Sequence, residues 1–209
     1  MKREVKKFIR DYSSEILEGN VAIFAGAGLS ISCGLSSWKE LLRDIAEELE
    51  LDINRENDLL SIVQFYQNRN GRGKINQQLI NAFNKQVDLS DNHRILASLP
   101  ISTYWTTNYD HLIEQSLKNE GKIVDVKKTA ENLAQTVPRR DVVVYKMHGD
   151  IDNPSKAVLS KEDYEMYHLE NELFTTTLKS DLLSKTFLFI GFSFDDPNLS
   201  YILTVSYTH

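Results

Sequence analysis

Val21-Ala22-Ile23-Phe24-Ala25-Gly26-Ala27-Gly28-Leu29-Ser30 is an apolar run that breaks into Gly-x-Gly and then opens a helical pattern. A short apolar run bounded by glycine reads as a buried strand. Two glycines at its end let the backbone approach a bulky anionic ligand. The first turn of the helix then offers unpaired N–H groups and a partial positive charge to a phosphate. This is the front half of a dinucleotide-binding turn. A full Gly-x-Gly-x-x-Gly needs glycine where Ile31 stands, and Gly34 falls too late. A plain strand–helix turn uses the same residues, so the pattern needs support from the rest of the chain.

That support comes from three further strand ends. Ile101–Thr107 reads as a strand running through Thr106-Thr107-Asn108-Tyr109-Asp110 into a helix over 109–118. The near-continuous apolar run 141–147 has the character of a parallel strand buried on both faces, and it ends in His148-Gly149-Asp150. Thr186–Ile190 ends in Gly191-Phe192-Ser193-Phe194-Asp195, and Val124–Lys127 is a shorter strand candidate. Val5, Phe8, Ile9, Tyr12, Ile16 and Leu17 recur at helical spacing, so 3–18 is predicted as an amphipathic helix ended by Gly19-Asn20. Trp38, Leu41, Leu42, Ile45, Ala46 and Leu49 mark a second helix. The stretch 55–99 reads as helical throughout, broken by Gly71-Arg72-Gly73, and forms a helical layer or lid. Strands alternating with helices predict an α/β fold: a Rossmann-like, mostly parallel sheet with flanking helices and a helical insertion. Ligands of such sheets sit off the carboxyl ends of the strands. Four motifs at four such ends should therefore meet in one crevice.

Composition narrows the functional classes. The 209 residues are 41% hydrophobic and 26% charged, which suits a packed core and argues against global disorder. A net charge of −6 disfavours a broad nucleic-acid footprint. Cys33 is the single cysteine, so neither an intrachain disulfide nor a cysteine-based zinc site can form. No signal peptide is evident behind Met1-Lys2-Arg3-Glu4-Val5-Lys6-Lys7, and no stretch approaches the roughly 20 apolar residues of a membrane span. The expectation is a soluble, cytoplasmic protein with no membrane or nucleic-acid partner.

Taken in order, the four motifs resemble the SIR2 (sirtuin-like) family of NAD-dependent enzymes. That family's signature runs Gly-Ala-Gly-x-Ser, Thr-x-Asn-x-Asp, His-Gly and Gly-x-Ser. The matching segments here are Gly26–Ser30, Thr106–Asp110, His148–Gly149 and Gly191–Ser193. The wider segments 25–30, 104–110, 144–150 and 189–199 are similar to the SIR2 domains of bacterial anti-phage effectors of the Thoeris type. The resemblance implies a single NAD-binding domain over 1–209 that hydrolyses NAD to nicotinamide and ADP-ribose during abortive infection. It implies NAD as substrate, no metal, and a homo-oligomer, a tetramer by analogy. It also implies a C-terminal SLOG sensor domain in relatives; this chain, which stops at His209, is expected to be C-terminally truncated and to lack that domain. Two features depart from the sirtuin deacylases. Their four-cysteine zinc module has no counterpart, and Gly34-Leu35-Ser36-Ser37-Trp38 replaces their Gly-x-Pro-Asp-Phe-Arg stretch.

The resemblance assigns Gly26, Ala27, Gly28 and Ser30 to the pyrophosphate, and Gly191 and Ser193 to the adenosine ribose or phosphates. Asn108 and His148 are the catalytic candidates. An amide donates and accepts, so Asn108 can orient a water or a ribose hydroxyl without bearing charge. Asn108 also suits a helix N-cap. Asp110 matches the position that contacts the nicotinamide amide, and equally suits the first turn of a helix. His148 can take a proton from a ribose hydroxyl. His93, His111, His168 and His209 read as surface or core, Trp105 and Phe24 as core, and Cys33 as a small buried residue. Glu47, Glu48 and Glu50 read as a solvated turn, and Asp195-Asp196-Pro197-Asn198 as a capped helix start. Two other functions fit the motifs: an NAD-dependent deacylase or ADP-ribosyltransferase, and a non-catalytic module binding NAD or ADP-ribose.

Overall fold

The computed structural model describes residues 2–193 and Leu199. The segment Asp195–Asn198, read as a capped helix start, lies outside the described residues, as do Phe194 and His209. Five parallel strands form one sheet: β1 (Val21–Ala25), β2 (Thr103–Thr106), β3 (Val124–Lys127), β4 (Val142–Lys146) and β5 (Thr186–Ile190), in the order β3-β4-β2-β1-β5. All five are predicted strands. Every residue of β1 and β2 is buried, as an inner strand covered on both faces requires.

Register sets the height at which the motifs leave the sheet. Ala25 lies beside Thr106 on one side and Ile190 on the other, and Thr106 lies beside Lys146. The last residues of β4, β2, β1 and β5 are thus level, and the four motifs emerge along one edge.

Alternation along β1 divides the core. Val21, Ile23 and Ala25 pack with Leu96, Ala97, Tyr104, Ile113 and Leu117 on one face. Helices α1 (Arg3–Leu17), α7 (Asp91–Ser98) and α8 (Leu112–Asn119) cover that face. Phe24 packs with Trp105, Met147, Tyr167, Phe174 and Leu178 on the other, under α10 (Lys161–Glu170) and α11 (Glu172–Ser184). A third cluster joins the short helices α3 (Trp38–Leu41) and α4 (Arg43–Glu48) to α5 (Leu59–Asn70) and α6 (Gly73–Phe83). It reaches the strand ends through Tyr109, Ile151 and Leu159.

The structure corrects three element boundaries. The stretch 55–99 is not helical throughout: α6 ends at Phe83, and α7 starts only after Ser90, whose hydroxyl accepts from the His93 amide. Between them Val87 and Leu89 turn into a small cluster with Leu35 and Leu112, and α7 belongs to the sheet's flank rather than to the helical layer. The helix after β2 starts at Leu112, not at 109, because the Asn108 side chain is bonded back to Gly26 and Ser30, and Asp110 Oδ1 accepts from Leu112 N. The helix predicted around Trp38–Leu49 is two pieces meeting at Leu42. α10, α11 and the short α9 (Ala130–Ala134) fall where no element is assigned from sequence.

Candidate functional site

The glycine turn meets β5 before it meets any ligand. Gly26 N–H donates to Ile190 O at 3.0 Å, and Gly28 N–H to Gly191 O at 2.7 Å. A Cβ on Gly26 would lie 2.6 Å from Gly191 O, and one on Gly28 would lie 2.9 Å from Gly191 Cα. These glycines are required first by backbone-to-backbone approach, which corrects the expectation that their N–H groups face a phosphate. The helix they open, α2 (Ala27–Ile31), has five residues, two of them buried: Leu29 and Ser30.

Asn108 is tied to that turn. Thr106 Oγ1 donates to Ala25 O at 2.8 Å and accepts from Asn108 N at 3.0 Å, locking the end of β2 against β1. The Asn108 side chain, 6% exposed, donates from Nδ2 to Gly26 O at 3.1 Å and to Ser30 Oγ at 2.9 Å. It is not a helix N-cap. A carbonyl can only accept, so the atom facing Gly26 O is the amide nitrogen, and both its hydrogens are engaged. With both amide hydrogens engaged, what this side chain can still offer is Oδ1, an acceptor rather than both a donor and an acceptor.

Asp110 divides its carboxylate. Oδ1 accepts from Leu112 N at 2.9 Å, which starts α8, while the buried Oδ2 accepts no hydrogen bond from a described residue. Asp110 thus precedes α8 rather than lying in its first turn, where the acid is Glu114. His148, 2% exposed, lies against α10: its Nδ1 is 3.4 Å from the Tyr164 hydroxyl, and its ring meets Tyr164 and Tyr167 edge-on.

These residues share one depression at the strand ends. A chamber is lined by Ala27, Ser30, Asn108, Asp110, His148 and Tyr164, among others. An adjoining cleft of about 710 Å³ is lined by Ala27, Gly28, Gly191, Phe192, Ser193 and Tyr164, among others. Ala27, Trp38, Thr107 and Tyr164 border both. The second volume falls within the range of small-molecule and cofactor sites. Of the nine residues proposed for the site, eight line one or other space, and Gly26 joins through its carbonyl. Sequence reasoning misses Tyr164 and Trp38 as site residues. The signal for Tyr164 is the Ser160-x-x-Asp163 capping box just before it, formed on both sides in the structure.

A second, polar cleft of about 500 Å³ includes His111, Glu114, Lys128, Asp150 and Asp152. His111, Asp150 and Asp152 could offer ligand atoms to a metal ion. The Lys128 ammonium already bridges two of them, 3.0 Å from Asp150 Oδ2 and 2.6 Å from Asp152 Oδ2, and supplies the countercharge. His111 is therefore part of a charged cluster rather than plain surface. Burial pushes the Glu114 carboxyl up, but the Lys146 ammonium and the bond to His111 outweigh it and hold its pKa at about 2.

Two smaller expectations change. Cys33 is half-buried, not fully buried, with Sγ 3.6 Å from His93 Nδ1. Glu48 is not simply solvated: it accepts from the Tyr66 hydroxyl at 2.7 Å and pairs with Lys74. Trp105 and Phe24 are core, as expected.

A profile of the SIR2-like domain matches residues 102–208. The chain is 57% identical over 202 residues to the NAD(+) hydrolase ThsA of Bacillus cereus (strain MSX-D12), covering 96% of this chain and 42% of that protein. It is 55% identical over 202 residues to the NAD(+) hydrolase ThsA of Enterococcus faecium, covering 95% and 42%. A more distant relative, the defense-associated sirtuin 2 of Bacillus subtilis, is 29% identical over 209 residues, covering 95% and 20%. The chain thus spans about two fifths of the length of its ThsA relatives.

Proposed function

The chain belongs to the SIR2-like domain family, and from that premise we propose that its cleft binds NAD and hydrolyses the bond between nicotinamide and ribose. The relatives named NAD(+) hydrolase support the activity. The observation that carries the reading is the junction of Asn108 with Gly26 and Ser30, in a chamber that also holds His148 and opens onto Gly28 and Gly191.

The chemistry asks little of acids. Nicotinamide leaves a cationic ring as a neutral molecule, so no proton need be supplied to it. What is needed is a held pose, relief for an oxocarbenium-like state and a placed water. In this proposal the pyrophosphate and adenosine ribose lie in the larger cleft along Ala27, Gly28, Gly191 and Ser193. Ser30 acts through Asn108, whose Oδ1 accepts from the water or a ribose hydroxyl. His148 takes a proton from that hydroxyl or water, and Tyr164 orients its ring. Asp110 Oδ2 is the acceptor for a donor on the nicotinamide side.

The biological setting is also a proposal: an anti-phage effector of the bacterial cytoplasm, assembled as a homo-oligomer and working with a sensor domain. No helix among the described residues is long and apolar enough to cross a membrane.

The test is nicotinamide release from NAD by the protein in its full natural length. Asn108→Ala and His148→Ala should each lower turnover by about 10²-fold or more, the usual loss for a positioned catalytic group. Parental rates in both variants would overturn the assignment. Release that depends on an acylated peptide would favour a deacylase, and binding without turnover a regulatory module.

A further inference from the structure

Lys146 ends β4, two residues before His148, and none of its side chain is exposed. The chemistry above makes no use of it. Its ammonium donates to the backbone carbonyl of Asp110 and, at 3.3 Å, to that of Tyr109. It pairs with Glu114 Oε1 at 3.0 Å and lies 3.6 Å from Asp150 Oδ2. Tyr109 and Asp110 directly follow Asn108, and Asp150 closes the His148-Gly149-Asp150 turn. One buried cation therefore grips both motifs that carry the catalytic candidates.

A buried ammonium is a costly way to fill space. An apolar side chain of similar length in place of a buried ion pair is often as stable or more so. What an apolar side chain cannot do is draw two carbonyls and two carboxylates to a single point. The partners, moreover, are backbone carbonyls of the Asn108 turn, so a shift in Nζ moves main chain rather than one rotamer. Glu114, itself 4% exposed, supplies the countercharge there.

We propose that Lys146, with Glu114 as its countercharge, is a positioning residue that holds the 108–110 and 148–150 turns at the separation at which Asn108 and His148 act on one bound molecule. This inference rests on the hydrolase reading of the same site. Misplacing a reacting group by about 1 Å can cost about 10²-fold in rate.

The experiment compares Lys146→Met, Glu114→Gln and the double variant with the parent. It measures NAD turnover, KM and the melting temperature. Lys146→Met leaves a buried carboxylate unpaired, so it should lose both stability and rate. The double variant removes both charges and should regain most of the melting temperature. Positioning predicts that its kcat stays about 10-fold to 10²-fold below the parent, with KM within about threefold. A merely structural lysine predicts that kcat recovers along with the melting temperature, and that result overturns the inference. Glu114→Gln, which keeps the lysine, gives the same readout should both lysine variants fail to fold: a kcat loss larger than its melting shift explains supports positioning, and parental kcat refutes it. A parent that releases no nicotinamide overturns the hydrolase reading, and this inference falls with it. An active parent with variants that track stability overturns this inference alone.

Discussion

Gly191 has a φ of +62°, and a Cβ there would sit 2.4 Å from Leu29 N. Both facts demand glycine, the first through backbone sterics and the second through contact with α2. We expect Gly191→Ala to lower unfolding free energy by about 1–3 kcal/mol in urea titrations, the cost of such strain. Because the residue also borders the cleft, NAD affinity should fall with stability. The glycines are legible in the sequence as a turn, but the reason for them is not. Sequence points to a ligand approaching Gly26 and Gly28, whereas their nearest neighbour is Gly191, far along the chain. Asn108 is similar. Its residue type permits an N-cap or an amide that positions a ligand, and only the positions of Gly26 O, Ser30 Oγ and the start of α8 exclude the first.

α10 brings Tyr164 to His148, and its start is held from outside. Asp163 closes the capping box, accepts from Leu159 N and Ser160 N at 2.9 Å each, and pairs with Arg72 at 2.9 Å. Burial pushes the Asp163 carboxyl up, but those backbone bonds and Arg72 hold it below the usual carboxylate range. Arg72 lies in the Gly71-Arg72-Gly73 break, which reads from sequence only as an interruption. In the structure it also bonds Ala157 O, so the break tethers the helical layer to the segment leading into α10. We expect Asp163→Asn to cost about 1.5–3 kcal/mol, the range for hydrogen bonds to charged groups. A thermal melt measures that loss, and a drop in turnover exceeding it would report a displaced Tyr164. The gap at 84–90 shows the limit of periodicity. Apolar spacing there continues to suit a helix, yet Val87 and Leu89 are drawn into a separate cluster with Leu35 and Leu112.

Across the molecule, carboxylates held low by partners set the acid limit of stability. Glu114 drops from an ordinary 4.5 to about 2, and Asp125, Asp152 and Asp163 are lowered too. A depressed carboxyl stabilises the fold fully above its unfolded pKa, and that contribution is lost as pH falls through the folded one. The melting temperature should therefore hold down to about pH 5, then fall steeply towards about pH 2. Glu114→Gln should flatten that slope, and an unchanged profile in the variant would count against the pairing with Lys146. The α/β class, the five strands and the four motifs at strand ends can all be read from the residues, because side-chain period and glycine breaks are local properties of the chain. The sheet order, the glycine interlock, the direction in which the Asn108 amide faces and the buried cation gripping both motifs cannot. Each depends on distances between residues far apart in sequence: Asn108 and Gly26 are separated by 82 positions. Such distances are set only when the sheet closes its register and the helices bury their faces against it.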